Sequence, residues 1–289
     1  MADPDSRKER LLQALVTLRP YLPHVIVIGG WVPTLYREYG GLPWHGRLSF
    51  TEELDVLAIP PIPVDERGSI EGVLRAAGYE PILRDGPSAH WLNQTTGSEI
   101  EFLTPATGPE RSLGVSNAIP AHGAVATVPL ADMEILDEFR STLRIPVRSD
   151  RGELDVIEVT VPTLGAYVVN KASTFPKRRN LDTGPNPKQA KDLLYLRDVA
   201  HGSHAVMAAV EADLRRIVAT GKPNTFRVER SRSNLALTCH GDMAGVSVQL
   251  AARMLAERER LEEGAALADL RGHLMDLEAL ISRVLSGSG

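Results

Sequence analysis

Apolar and polar positions follow three textures along this chain. Residues 25–28 (VIVI) form a short unbroken apolar run, the pattern of a buried strand. After Gly29-Gly30, Trp31, Leu35 and Tyr39 recur at helical spacing and predict an amphipathic helix. Residues 53–59 (ELDVLAI) begin in alternation and end apolar, which predicts a second strand. Upstream, residues 4–19 read as a helix with Leu11, Leu12, Leu15 and Leu18 on one face. Asp5 or Ser6 is its expected cap, and Pro20 and Pro23 end it. Downstream, the PPIP of residues 60–63 breaks the chain, and residues 65–77 predict a helix closed by Gly78. Strand-like pieces follow at 79–83, 89–93 and 99–103, separated by turns at Asp85-Gly86-Pro87 and Thr96-Gly97. Residues 104–120 read as loop. Residues 124–128, 143–147 and 153–161 read as strands, with a helix-like turn at 133–139 and a hairpin turn at Asp150-Arg151-Gly152.

The texture changes at Thr163, a capping residue before a helix over 164–174. Helical patterns then cover 188–200, 204–219, 243–262 and 265–285. Residues 226–240 fit no period cleanly, and Arg227, Arg230 and Arg232 there are expected to face solvent. The order predicts an α/β (α+β) chain. A mixed sheet flanked by helices would occupy residues 1–161, and a helical C-terminal domain residues 162–289. The apolar stripes of the last helices must be covered, either by a bundle packed on the core or by a second copy. Monomer and homodimer are both open on that ground.

Composition narrows the class. The chain has 289 residues, is 43% hydrophobic and carries a net charge of −5, enough apolar content for a substantial core and no bulk signature of a nucleic-acid binder. One cysteine, Cys239, rules out an internal disulfide and a cysteine zinc site. No apolar run reaches membrane-spanning length, and the charged N-terminal stretch lacks a secretory pattern, so a cytoplasmic protein is expected. A G-x-S-x-G elbow, a G-x-G-x-x-G fingerprint and a Walker A loop are all missing. His201 and His204 lie three apart, but the sequence offers no third ligand near them. A surface role is expected for both.

The chemistry concentrates where the first two strands lie. On a strand, Glu53 and Asp55 point to one face and place two carboxylates side by side. Such like charges repel, and a hard divalent cation relieves the repulsion. The Gly29-Gly30 turn at a helix start lets a phosphate approach backbone N–H groups. Metal, phosphate and turn together describe a nucleoside triphosphate site. In residues 98–105 (SEIEFLTP), Glu99 and Glu101 alternate with Ile100 and Phe102 and offer a further carboxylate on a strand face. Glu153, Asp155 and Glu158 form a rival acidic group, but no glycine turn precedes it, and a half-solvated strand is the simpler reading. The loop of residues 40–50, with Trp44, His45 and Arg47, reads as an ordinary surface loop.

The order Gly29, Gly30, Leu35, Thr51, Glu53, Asp55 resembles the DNA polymerase β superfamily of nucleotidyltransferases. The resemblance implies that Glu53 and Asp55 hold magnesium. Two ions are implied, and manganese is an alternative. It also implies that Gly29, Gly30 and Thr51 line the triphosphate, and that Glu101, or failing it Glu99, is a third acid acting as metal ligand or base. Two departures stand out: Glu53 where aspartate is usual, and Gly30 where serine is common. Further on, Lys171, Arg178 or Arg179, Lys188, Lys191 and Asp192 resemble a second signature, that of the minimal bacterial abortive-infection (AbiEii-like) toxins. It implies that Lys171, Arg178, Lys188 and Lys191 serve the nucleotide, with Asp192 close by. An acidic protein that binds a triphosphate needs such a local cluster of cations. What the resemblance implies is transfer of a nucleoside monophosphate from an NTP to a hydroxyl of RNA, tRNA or protein, as a toxin with an antitoxin partner. A small-molecule (antibiotic-type) adenylyltransferase and a non-catalytic nucleotide-binding or interaction protein are the alternatives.

Overall fold

The computed structural model describes residues 4–49, 51–58, 68–82, 89–106, 117–118, 125–130, 132–148, 152–178, 186–240 and 245–287. The PPIP break, the Asp85-Gly86-Pro87 turn, Asp150-Arg151, Arg179 and most of the loop over 104–120 lie outside them. The chain divides into two compact units, Met1–Val32 with Phe50–Pro162, and Pro33–Ser49 with Thr163–Gly289.

The first unit is built on a mixed sheet. Helix α1 (Pro4–Thr17) packs beside the sheet and gives way to a 3-10 helix, Arg19–His24, that contains both prolines. Proline is accepted in a first helical turn, so Pro20 opens this short helix and does not simply terminate the one before. Asp5 and Ser6 fall inside the first turn of α1. Strand β1 (Val25–Val27) is wholly buried. After Gly29-Gly30, α2 begins and runs over Trp31–Tyr39. Next come β2 (Glu53–Ala58), α3 (Ile70–Ala76), β3 (Tyr79–Pro81), β4 (His90–Asn93), β5 (Ser98–Pro105), β6 (Asn117–Ala118) and β7 (Ala126–Leu130). The sheet runs β1-β2-β5-β4-β3, and β7 joins the far end of β5 and carries β6. Pairing is antiparallel for β1–β2, β5–β4 and β4–β3, and parallel for β2–β5 and β5–β7.

The central strands obey the alternation rule. Leu54 and Val56 of β2 and Ile100 and Phe102 of β5 are buried, while the acids between them are half-buried. The hairpin β8 (Arg140–Arg148) with β9 (Leu154–Pro162) follows the short helix α4 (Glu134–Glu138). Strand β9 packs beside β1 and the 3-10 helix. Arg19 ion-pairs with Asp155 at 2.5 Å and holds that carboxyl below its usual range. Asp155 therefore sits in an exposed ion pair.

The second unit is helical: α5 (Leu164–Thr174), α6 (Pro187–Ala200), α7 (His204–Ala219), α8 (Lys222–His240), α9 (Gly245–Glu259) and α10 (Glu263–Ser286). Helix α5 is buried along its whole length and packs against α6, α7 and α8. The Thr163 hydroxyl caps it by accepting from Ala166 N–H, as its sequence position predicts. Helix α8 takes in the stretch whose period was unclear. His201 departs from its expected surface role: it is half-buried, and its ring stands edge-on to His273 with centroids 4.8 Å apart.

Candidate active site

The site in the first unit is assembled by register. Strand β1 pairs with β2 so that Val27 faces Val56, and Ile28 N–H then donates to the Asp55 carbonyl at 2.9 Å. The chain turns at once through Gly29, whose φ of +71° lies in the left-handed region. The Gly29 backbone passes directly over the Asp55 carboxylate, and helix α2 starts two residues later. The turn therefore sets a helix N-terminus beside an acid.

On the other side, β2 pairs in parallel with β5. Asp55 is the register partner of Glu101, and Glu53 of Glu99. One carboxylate oxygen from each of Glu53, Asp55 and Glu101 lies within 4.8 Å of the other two. Glu99 is not in this group. Alternation alone makes Glu99 and Glu101 equivalent, the resemblance ranks Glu101 first, and Glu101 is the one whose carboxylate joins the group.

His90 is the residue the sequence did not reveal. Strand β4 flanks β5 on its other edge, with His90 opposite Glu101. His90 Nε2 is 2.9 Å from Glu101 Oε1. Nothing in the local pattern of β4 marks His90. Only the antiparallel pairing carries it to the acid, so no single-sequence signal was there to read.

Three half-buried carboxylates converging from two strands match the donor set of a hard divalent cation, which takes oxygen ligands. With a metal bound there, the like-charge repulsion of the cluster is offset. Thr51 lies two residues before β2 and is half-exposed.

The remaining sequence candidates belong to the second unit. Lys171, on α5, is buried, and its Nζ donates to Asp192 Oδ1 on α6 at 2.7 Å. The ammonium also lies 5.8 Å from the Tyr167 ring centroid and 5.2 Å from that of Tyr195, within cation–π range. Lys171 and Asp192 are thus brought together. Lys188 and Lys191 are exposed on α6, whose start is capped by the Asn186 side chain accepting from Lys188 N–H. Arg178 ends a short 3-10 helix, Phe175–Arg178.

A family model described as nucleotidyltransferase matches residues 7–214. That span takes in Gly29, all three clustered acids and the Lys171–Asp192 pair. No curated protein and no solved structure matches the chain.

Proposed function

The chain belongs to this nucleotidyltransferase family, and from that premise we propose that it is a magnesium-dependent enzyme moving a nucleoside monophosphate from an NTP to a hydroxyl of RNA, tRNA or protein. The observation that carries the metal-dependent reading is the convergence of Glu53, Asp55 and Glu101 beside the Gly29 turn. The acceptor hydroxyl oxygen attacks the α-phosphorus. The bond to the bridging oxygen breaks, pyrophosphate leaves with that electron pair, and the hydroxyl proton passes to a carboxylate. Glu101, held by His90, is assigned that proton or a share of the metal. Glu53 and Asp55 are the principal metal ligands. Bound magnesium, or manganese, stabilises charge on the phosphoryl oxygens and lowers the pKa of the attacking hydroxyl. Gly29 and Gly30 open the start of α2 to the triphosphate, with Thr51 as a further contact.

Lys171, Arg178, Lys188 and Lys191 are assigned to the nucleotide phosphates, following the second signature. Asp192, buried against Lys171, is the positioning partner of that cation. The AbiEii-like resemblance further supports a toxin paired with an antitoxin.

The test is transfer of label from each of the four α-labelled NTPs, with magnesium, to total RNA, to protein and to an aminoglycoside. Wild type should label RNA or protein, and Asp55→Asn should not. Label on the aminoglycoside alone would favour the small-molecule reading. Absence of NTP binding by the folded protein would overturn the enzyme. Growth arrest on expression, lost in Asp55→Asn, would support the toxin role.

A further inference from the structure

A second cluster of metal-binding side chains lies in the helical unit. His201 stands just past the end of α6, and Asp269 and His273 occupy successive turns of α10. One ligand atom from each of the three lies within 4.8 Å of the other two. The separations are specific. His201 Nδ1 is 3.0 Å from His273 Nε2, and His273 Nε2 is 3.4 Å from Asp269 Oδ1. Around a tetrahedral ion with bonds of about 2.0–2.1 Å, neighbouring ligand atoms stand roughly 3.3–3.4 Å apart. The two distances found are close to edges of such a tetrahedron.

The surroundings hold the three groups in place. Arg197, itself buried, grips Asp269 Oδ2 through Nε at 2.8 Å and through a terminal nitrogen at 2.7 Å. That leaves Oδ1 as the oxygen turned to the histidines. A ligating carboxylate held by its second oxygen is the usual way a metal site fixes its donors. On the far edge of His201, a β-carbon at Gly46 would stand 3.1 Å from Nε2. The left-handed glycine, with φ of +66°, lets the chain lie against that edge and so directs Nδ1 toward α10. Two imidazole nitrogens and one carboxylate oxygen suit a borderline metal better than magnesium.

We infer that His201, Asp269 and His273 form a site for a divalent transition metal of the zinc type, distinct from the carboxylate cluster. The three residues are half-buried, so solvent reaches the site and completes the coordination sphere. The ion would fasten the C-terminal end of α6 to α10. Helix α6 carries Lys188, Lys191 and Asp192, so the clip would steady the helix that presents them.

Cobalt(II) is the probe, because two imidazoles and a carboxylate in a four- or five-coordinate sphere give it intense visible bands. The full-length protein is titrated with cobalt in excess magnesium, which occupies hard oxygen sites, and zinc is then added. Visible bands should develop with wild type and with Asp55→Asn, and zinc should remove them. Cobalt affinity should fall at least tenfold in His201→Ala and in His273→Ala, and zinc should raise the Tm of wild type but not of these variants. Far-UV circular dichroism checks their folding. If either fails to fold, Asp269→Asn and His273→Gln read the same sphere. Absence of the bands in wild type, their survival in both histidine variants, or their loss in Asp55→Asn would each overturn the site.

Discussion

A β-carbon added to Gly29 would stand 1.9 Å from Oδ2 of Asp55. The turn and the acid are therefore one feature: the carboxylate occupies the space that any larger residue would need. Gly29→Ala meets two obstacles. The left-handed φ of +71° costs an L-residue about 1–3 kcal/mol, and the new methyl must displace Asp55. The expected outcome is a folded protein with a lowered Tm and loss of magnesium-dependent NTP binding, read by thermal melting and calorimetry. Binding at wild-type strength would separate the turn from the site.

His90 holds Glu101 from the strand beyond it. Removing a residue that orients a metal-binding or proton-accepting carboxylate lowers metal affinity or activity by about 10–100-fold. His90→Ala should fall in that range in magnesium titrations, with a smaller change in Tm than Gly29→Ala. His90→Gln, which can still donate to the carboxylate, should recover part of the loss.

Signals within a few residues were legible in the chain. The buried run ahead of Gly29, the alternation of Glu53 and Asp55, and the Thr163 cap each depend on near neighbours, and each is present in the structure. Signals that depend on pairing were not. By alternation alone Glu99 and Glu101 look alike, and only the resemblance ranks Glu101 first; His90 is unmarked until β4 is laid beside β5. The same holds for His201, whose partners Asp269 and His273 come from the last helix. Helix α8 was obscured for another reason. Its buried face alternates Val228 and Leu235 with Ser231 and Thr238, so polar residues interrupt the apolar stripe. The Ser231 hydroxyl is satisfied inside the core, hydrogen-bonded to Ser173 Oγ at 2.8 Å and donating to the Val169 carbonyl at 3.0 Å. A buried hydroxyl with such partners behaves as core, which composition alone does not convey.

The Lys171–Asp192 pair gives a prediction about stability. Both side chains are buried, so removing either one breaks an ion pair that is held away from water. Lys171→Met and Asp192→Asn should each cost about 3–5 kcal/mol in denaturant unfolding. The double variant should be less destabilised than the sum, because both substitutions break the same ion pair. Strict additivity would mean that the two groups do not act as a pair. Label transfer by the double variant tests the assigned role separately: a folded double variant with full activity would remove Lys171 and Asp192 from the nucleotide's support.

Cys239, on α8, gives a pH dependence with a definite sign. Burial pushes its thiol up to about 11, with Glu278 adding to the rise and Arg271 opposing it. Only the thiolate reacts with alkylating agents, so at pH 8 roughly 0.1% of the thiol is competent. Iodoacetamide labelling of the native protein, followed by intact mass, should therefore be slow at pH 8. Its rate should rise about tenfold per pH unit and level off only near the thiol's raised pKa. Unfolding in denaturant should restore the rate of an ordinary exposed thiol. The folded state holds the thiol proton more tightly than the unfolded chain does. Cys239 therefore contributes stability that is fully present below the ordinary value of 9.0 and is lost as pH rises toward about 11. Replacing Cys239 with serine or alanine should flatten that part of the stability curve. Rapid labelling of the folded protein at pH 8 would show that the thiol is not shielded by its helix neighbours.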